Sequence, residues 1–331
     1  MSSSFVSSRR DCLRFAMSAA VVGVSGGVRA QSYPDRTVRI VVPFAPGAGT
    51  DAMGRLMANK LSELMQTPVV VENKTGASGA IGAQAVAQSP ADGHTLLLAA
   101  APFTTVPAAL STAGYDPLKD FAPVGMFATG PLVWVVGSQV PVNSMQELLA
   151  MARRRPGALN YGSAGVGGVN HLLLEMFKAR TGTFITHIPY RGISPAVADT
   201  LGGQIQLLTG TIPALLPMIR EGRLKALAVT SARRSAVLPQ VPSMAEVGLH
   251  DFDVLNYFAL VAPRGTPAPT VQTLNAALSR AAKLQDVQVR LSNDALEAAT
   301  DSPDQLARFL SRDFAAWKDV VQRQNLRIDS V

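Results

Sequence analysis

The sequence has little cysteine, few aromatic residues and modest charge. Its single cysteine, Cys12, lies within the first thirty residues, so the remainder can form no disulfide within the chain and carries no thiol chemistry. Aromatic residues make up only 6% of the chain, and the short basic runs Arg153–Arg155 and Arg233–Arg234 have few aromatic neighbours. Such runs are typical of solvated surfaces, so we predict that the protein binds no nucleic acid.

Metal-binding and hydrolase motifs are also missing. The four histidines fall outside the spacing of motifs such as H-E-x-x-H, so we predict no metal site. A hydrolase nucleophile of the G-x-S-x-G type needs glycine two positions before the serine, whereas Tyr161 occupies that position before Ser163. An exported hydrolase therefore stays an alternative that the sequence disfavours.

The N-terminus has the pattern of an export signal. A basic start that includes Arg9 and Arg10 is followed by an apolar stretch from Phe15 to Val28 and by an A-x-A-like cleavage point at Ala30. The apolar stretch is too short to span a membrane. The paired arginines resemble a twin-arginine signal, and the general secretory route stays open. We predict a periplasmic protein whose signal, residues 1–30, is cleaved near Ala30.

The rest of the chain, about 300 residues, is long for a single core and predicts two lobes. Strand-like apolar runs alternate with helical patterns, which predicts an α/β fold with helices on parallel sheets. The long apolar runs Phe121–Val136 and Leu255–Val261 predict two segments that cross between the lobes. We assign residues 33–129 and 256–331 to lobe 1, and residues 130–255 to lobe 2.

Some helices have recognisable ends in the sequence. The hydrophobic spacing predicts helices over about 170–180, 268–284 and 302–325, and Ser302-Pro303 is a typical start for the last of them. Ser243 and Glu246 have the spacing of a capping box.

Two glycine-rich loops are the most informative feature. Residues 43–51 join a strand-like run, Val38–Val42, to a helix pattern, and residues 161–168 precede a second helix. Unpaired backbone N–H groups at such helix starts attract anions. The first loop contains no Lys, Arg or His, so we expect the main chain to hold the anion. We predict a ligand clamped between the two loops.

Four side chains near these loops are further candidates. Asp51 could either cap its helix or contact a ligand ammonium group. His171 lies in the first turn of the second helix, and could bind ligand or pack. Arg191 follows a strand end and could pair with a carboxylate or form a surface salt bridge. Tyr257 lies in the return crossing, where it could reach the ligand or pack the hinge.

A nucleotide site is a second interpretation of the first loop. Gly47 to Ala52 nearly fits the dinucleotide fingerprint G-x-G-x-x-G/A, and Glu72 follows at a suitable distance. Pro43 to Pro46 separate the strand from the glycines, however, whereas the fingerprint normally follows its strand directly. An exported nucleotide-dependent oxidoreductase is therefore our alternative function.

The ordered motifs of the chain resemble a known family, the Bug or TctC-like extracytoplasmic solute receptors of tripartite tricarboxylate transporters. The motifs that carry the resemblance are Pro43-Phe44…Pro46-Gly47…Asp51, Glu72-Asn73-Lys74, Gly76…Gly79-Ala80-Ile81-Gly82, Asp92-Gly93-His94-Thr95-Leu96, Gly165…Gly167…His171-Leu172, His187-Ile188-Pro189-Tyr190-Arg191-Gly192 and Val241-Pro242-Ser243…Glu246-Val247-Gly248.

The resemblance implies a type II periplasmic-binding-protein fold with no catalysis and no cofactor. It implies a small carboxylate ligand (a dicarboxylate, tricarboxylate, amino acid or aromatic acid) and the permease subunits of a tripartite tricarboxylate transporter as partners. Together with His171, Arg191 and Tyr257, the residues expected to line the two walls are Phe44, Gly47, Ala48, Gly49, Thr50 and Asp51 on one side and Ser163, Ala164, Gly165 and Asn170 on the other.

Some positions depart from the family pattern. Ala48 replaces a common glycine, and Gly210 stands where the residue at the strand end is often Asp. The loss of an acid at Gly210 is expected to admit a bulkier or less cationic ligand. The identity of the solute and the choice between monomer and dimer stay open.

Overall fold

The computed structural model describes residues 33–47, 49–250, Phe252 and residues 254–323. The predicted export signal and Ala48 lie outside the described residues. Within them, no helix has both the length and the hydropathy needed to cross a membrane.

The strands form one continuous path, in the order β2 (Val69–Asn73), β1 (Val38–Val42), β3 (Thr95–Ala99), β9 (Leu255–Pro263), β4 (Phe121–Gly137), β7 (Leu207–Thr211), β5 (Asn160–Ser163) and β6 (Thr186–Pro189). In its first half, β1 (Val38–Val42) pairs in parallel with β2 (Val69–Asn73) and β3 (Thr95–Ala99). β9 (Leu255–Pro263) runs antiparallel to β3 and to β4 (Phe121–Gly137). The short β10 (Glu297–Ala298) pairs with β4. Runs of Val, Ile and Leu form these strands because most of their side chains are buried.

The second half of the path begins on the same strand β4. It pairs there with β7 (Leu207–Thr211) and β8 (Leu224–Val229), both antiparallel. β5 (Asn160–Ser163) lies between β7 and β6 (Thr186–Pro189), parallel to both.

β4 therefore belongs to both halves of the structure. Its first part, as far as Pro131, pairs with β9, and its last part, from Leu132, pairs with β7. It extends over 17 residues, and its ladders contain register shifts between Pro123 and Gly125 and at Trp134. Such irregularities bend a strand and increase its twist, which suits a segment that passes from one sheet into another.

Ten helices accompany the strands in the described part of the chain. They are α1 (Gly49–Met65), α2 (Ala80–Ala87), α3 (Pro102–Ala109), α4 (Met145–Arg154), α5 (Val169–Thr181), α6 (Ile193–Leu201), α7 (Ile212–Arg220), α8 (Ala268–Ala282), α9 (Gln285–Asn293) and α10 (Pro303–Arg323).

Local signals explain several of these helix ends. Ser302 and Gln305 exchange side-chain to backbone hydrogen bonds of 2.8 and 3.2 Å at the start of α10. This is the reciprocal pattern of a capping box. Ser243 and Glu246 make the same pair of bonds, at 2.8 and 3.3 Å, but there the chain forms only turns. The helix α9 is not among the predicted elements.

α10 packs against α3, β4 and α5, so it contacts elements from both halves of the sheet. Its buried face, which includes Leu306, Leu310 and Trp317, belongs to a core cluster that also contains Leu97 of β3 and Phe177 of α5. This cluster therefore includes residues from both halves of the sheet.

Candidate functional site

The first glycine loop is held by the carboxylate of Asp51. Asp51 is buried, and its Oδ2 accepts hydrogen bonds from the backbone N–H of Gly47 and from Arg55 Nε, each at 2.9 Å. Its Oδ1 accepts from Asn73 Nδ2 at 2.8 Å. Desolvation raises the pKa of this carboxyl, but the hydrogen bonds from Arg55, Gly47 and Asn73 outweigh it and lower the pKa of Asp51 to about 2.

Asn73 at the end of β2 extends this network. Its Nδ2 also donates to the carbonyl oxygen of Phe44 at 3.0 Å, so one side chain ties together both ends of the loop. The amide of Gly47 is already used by Asp51. The amides of Gly49 and Thr50 lie at the first positions of α1, where a helix offers no internal acceptor, and they are the donors that the loop can present.

The second glycine loop joins β5 to α5 and is shaped by Ser163. The buried hydroxyl of Ser163 donates to the carbonyl oxygen of Gly165 at 3.1 Å and accepts from the N–H of Gly165 at 3.2 Å. Gly165 has a φ of 139°, a conformation that side-chain-bearing residues rarely adopt. The glycine there is therefore a requirement of the turn.

A cluster of polar side chains packs against this loop; its members are His171, His187, Tyr161, Glu175 and Lys178. His187 Nε2 lies 2.7 Å from Ser163 Oγ, and the ring of His187 stacks on that of His171 with centroids 4.1 Å apart. His171 Nδ1 accepts a hydrogen bond from the N–H of Gly167 at 3.2 Å. Burial lowers the pKa of His171 to about 4 and that of His187 to about 3. Both rings are thus neutral near pH 7.

The charged members of the cluster neutralise one another. Glu175 is buried, and its Oε1 accepts from Tyr161 Oη and from Lys178 Nζ, each at 2.6 Å. His171 Nε2 lies 4.0 Å from the same oxygen. The cluster therefore stiffens the loop without placing a free charge beneath it.

Asn170 anchors the start of α5. Its Nδ2 donates to the carbonyl oxygen of Thr209 at 2.6 Å and lies 3.1 Å from Thr209 Oγ1. This bond fixes the first turn of α5 against β7, so the helix N-terminus has a set position relative to the sheet.

A third loop, Gly76–Gly79, is missing from the predicted site residues. All of its residues have positive φ, namely 127° at Gly76, 46° at Ala77, 53° at Ser78 and 99° at Gly79. Such backbone is strained at Ala77 and Ser78, and strain of this kind concentrates at functional sites. The sequence signal that could have found it is the glycine pair that brackets a polar turn.

The third loop brings the two halves of the structure together. A Cβ atom built on Gly165 would lie 3.4 Å from Ser78 Oγ, and one built on Gly79 would lie 3.3 Å from Phe44 Cζ. The third loop thus touches the second loop on one side and Phe44 of the first loop on the other. A Cβ atom on Gly167 would lie 3.5 Å from Ala109 of α3, so the second loop also rests near α3.

The remaining predicted site residues fall in different places. Arg191 is exposed and precedes α6, and Ala164 is exposed on the second loop. Tyr257 is fully buried, its hydroxyl lies 3.1 Å from Thr104 Oγ1, and its ring meets Phe309 edge-on at 5.0 Å. These contacts place Tyr257 in the packing of the return crossing, so we leave it out of the binding surface.

A separate cavity of about 690 Å³ lies away from all three loops, on the edge of β4 between β8 and β10. Its lining includes Pro131, Arg233 and Leu296 but no residue of the glycine loops. The described residues also hold no group of three or more His, Cys, Asp or Glu side chains that could bind a metal ion.

The chain is similar to known proteins over most of its length. The profile of the tripartite tricarboxylate transporter family receptor matches residues 53–326. Protein BugT of Bordetella pertussis is 37% identical over 311 residues, which cover 93% of this chain and 95% of that protein.

Two solved structures are similar over most of both chains. The R. palustris protein Rpa4515, solved with adipate, has a TM-score of 0.81 and 36% identity, and the match covers 88% of this chain and 98% of that one. MatC from Rhodopseudomonas palustris, solved with bound malate, has a TM-score of 0.79 and 33% identity, with 87% and 100% covered. These likenesses confirm the predicted α/β periplasmic-binding-protein fold.

Proposed function

Since the chain belongs to the family of tripartite tricarboxylate transporter receptors, we propose that it is a periplasmic receptor that captures a small carboxylate between two lobes and delivers it to a membrane permease. The solved relatives with adipate and malate support a carboxylate as the ligand. In this proposal the protein is not an enzyme and needs no cofactor.

One observation carries the proposal, namely the approach of Ser78 to Gly165. It brings the loop that follows β5 against the loop that follows β2, and Phe44 of the first loop lies on the other side of Gly79. In this proposal the starts of α1 and α5, which follow these two loops, form the binding region together. Each start presents backbone N–H groups without a partner inside its helix, and such groups bind anions.

The expected affinity is consistent with backbone recognition. A helix N-terminus stabilises an anion by roughly 0.3–2 kcal/mol, and a hydrogen bond to a charged group contributes about 1.5–3 kcal/mol. Two helix starts and a few such bonds give about 8 kcal/mol, which corresponds to micromolar binding. No ionised side chain has to enter this sum.

The two lobes of the proposal are residues 33–129 with 256–331, and residues 130–255. Gly130 of β4 pairs with Asn256 of β9, so both crossing strands would bend at the same level. A ligand closes the lobes if it contacts both of them only in the closed state. Exposed Arg191, next to the second loop, could receive a second carboxylate of the ligand.

The alternative, a nucleotide-dependent oxidoreductase, gains no support from the first loop. The amide of Gly47, at the first glycine of the fingerprint, donates to Asp51 and so cannot bind a pyrophosphate without breaking that bond. The family that matches the chain is one of transporter receptors, and the similar protein MatC was solved with bound malate, not with a nucleotide.

Thermal-shift measurements test the proposal. We expect adipate, malate or another member of a panel of dicarboxylates, tricarboxylates, amino acids and aromatic acids to raise the melting temperature. At a hundredfold excess over the Kd, the stabilisation is about 2.7 kcal/mol, which corresponds to a rise of several degrees.

The matched control replaces the charged ligand by a neutral one of the same shape, such as adipamide for adipate. The neutral diamide should leave the melting temperature unchanged. Stabilisation by NAD and related nucleotides, with no carboxylate active, would instead favour the oxidoreductase.

A further inference from the structure

The two histidines that pack against the second glycine loop, His171 and His187, make different hydrogen bonds to it. The N–H of Gly167 donates to Nδ1 of His171, and the two atoms are 3.2 Å apart. His171 is only 6% exposed, so water cannot readily replace it as the acceptor. The shape of the loop near Gly167 therefore depends on a lone pair of the imidazole.

We propose that His171 is a positioning residue of the second glycine loop, that it must be neutral to act, and that its protonation in acid loosens the loop and releases the bound anion. This inference rests on the proposed function. His171 then acts through its hydrogen bond to the loop and does not contact the ligand directly.

The proton balance explains why His171 is the sensitive group. A neutral imidazole has one N–H and one lone pair. Because Nδ1 accepts from Gly167, the ring proton is on Nε2, on the side of Glu175. A second proton must then go to Nδ1, where an N–H would face the N–H of Gly167. The hydrogen bond is lost, and two donors oppose each other.

His187 behaves differently because of its partner. Ser163 Oγ donates to the carbonyl oxygen of Gly165 and accepts from the Gly165 N–H, so its remaining lone pair can accept from His187 Nε2–H at 2.7 Å. Protonation of His187 adds a proton at Nδ1 and leaves this bond in place. The acid-sensitive contact of the loop is therefore the one at His171.

The groups that face His171 among the described residues oppose its protonation on balance. Burial and the positive charge of Lys178 lower the pKa of His171, whereas Glu175 raises it. Lys178 and Tyr161 both bond to Glu175 at 2.6 Å and compete for its charge. His187 stacks on His171 at 4.1 Å, and each ring disfavours a charge on the other.

Two substitutions separate the acceptor from the volume of the side chain. In His171→Asn the amide Oδ1 can take the place of Nδ1 as the acceptor for Gly167, and it does not titrate. In His171→Leu the side chain stays large but has no acceptor. His250→Asn, at an exposed histidine, serves as the control.

Calorimetry with adipate and malate at pH 7 gives the first test. We expect His171→Leu to weaken binding about tenfold, the effect of one lost hydrogen bond with an unsatisfied donor. His171→Asn should stay within about threefold of the wild type, and His250→Asn should match it. Equal affinity in His171→Leu and the wild type would overturn the inference.

The pH profile gives the second test. The ratio of the wild-type Kd to the His171→Asn Kd should rise about fourfold between pH 7 and pH 3.5, given a pKa of about 4. The ratio removes the titration of the ligand carboxylates, which is common to both proteins. Parallel loss of affinity in the two proteins would overturn the inference.

Hydrogen exchange of the ligand-free receptor keeps this inference distinct from the proposed function. The Gly167 amide should exchange faster below pH 4 than the intrinsic pH dependence allows in the wild type, but not in His171→Asn. A Gly167 amide that does not respond overturns the inference, whether or not any carboxylate binds. Failure of every carboxylate to bind would overturn the proposed function instead.

Discussion

The role of Asp51 leads to a quantitative prediction. Replacement by Asn keeps the shape of the side chain but turns one acceptor oxygen into a donor. Because Gly47, Arg55 and Asn73 all donate to the carboxylate, at least one of these donors must then face an amide N–H₂ group. The loop that carries the start of α1 should lose its fixed shape.

The magnitude follows from the pKa of the carboxyl. It falls from an ordinary value of 3.8 to about 2 on folding, and each unit is worth about 1.4 kcal/mol. The carboxylate side chain is only 4% exposed, but Arg55 is 54% exposed and is screened by solvent. We therefore expect Asp51→Asn to lower the free energy of unfolding at pH 7 by about 2 kcal/mol.

The sign of the pH dependence is fixed by the same shift. A carboxyl whose pKa is lowered on folding stabilises the protein above its unfolded pKa of 3.8, and this stabilisation is lost as the pH falls towards 2. Urea titrations of the wild type and Asp51→Asn should therefore differ at pH 7 and converge near pH 2.

Two results would refute this reasoning. Unchanged stability of Asp51→Asn at pH 7 would mean that the three hydrogen bonds do not hold the loop. Loss of affinity for amino acids alone, with other carboxylates unaffected, would show that Asp51 contacts a ligand ammonium group. Asp286→Asn, at an exposed carboxylate that pairs with Lys60, is the control and should leave stability nearly unchanged, because Lys60 keeps its second partner Glu63.

Two other predictions concern the contact between Ser78 and Gly165 and a buried acid. Gly165→Ala should weaken carboxylate binding about tenfold, because an alanine there would have to adopt a positive φ next to Ser78. Gly182→Ala is the control, since Gly182 has a φ of 62° and no atom lies within 4 Å of the new Cβ. It should lower the stability by about 1 kcal/mol and leave the affinity measured by calorimetry unchanged. Burial raises the pKa of Asp313 from 3.8 to about 6, so the fold is most stable below pH 3.8 with respect to this group and loses stability as the pH rises to about 6. Asp313→Asn should therefore flatten the melting temperature between about pH 4 and pH 7.

Hydrophobic spacing is sufficient to predict the long helices of this protein. The helix predicted over 170–180 is α5, Val169–Thr181, and the one predicted over 302–325 is described as α10, Pro303–Arg323. Both bury a run of apolar side chains; α10 also has a capping box at its start, and α5 ends at Gly182 in the left-handed conformation. The missed helix α9 buries only Val287 and Leu291, so its sequence has too little periodicity to stand out.

The site was harder to predict because its determinants are tertiary. Local sequence leaves Asp51 as either a cap or an ammonium contact. Its partner Asn73 is 22 residues away, and only the parallel pairing of β1 with β2 brings the two together. Likewise, nothing local in Gly76–Gly79 reveals that Ser78 lies beside Gly165, which follows a strand in the other half of the sheet.

Tyr257 shows the opposite case, in which position along the chain was a poor guide to exposure. It lies on β9, the predicted return crossing, and its position in the sequence is compatible with a contact to the ligand. On β9, however, side chains alternate between the two faces of a sheet that helices cover on both sides. Tyr257 points to the face covered by α10, where Phe309 and Thr104 enclose it.

Several ionised side chains around the described loops are already paired with one another without a ligand. Asp51 is bonded to Arg55 and to backbone, Glu175 is bonded to Lys178, and the histidine pair is neutral. Apart from exposed Arg191, the loops can therefore attract an anion only through N–H groups, which the fold holds in place and which need no rearrangement. Because such donors act at hydrogen-bond distance, salt should screen them less than it screens exposed ion pairs. Selection among carboxylates must then depend on the distance between their charged ends and on the space beside Ser78, rather than on the number of their charges.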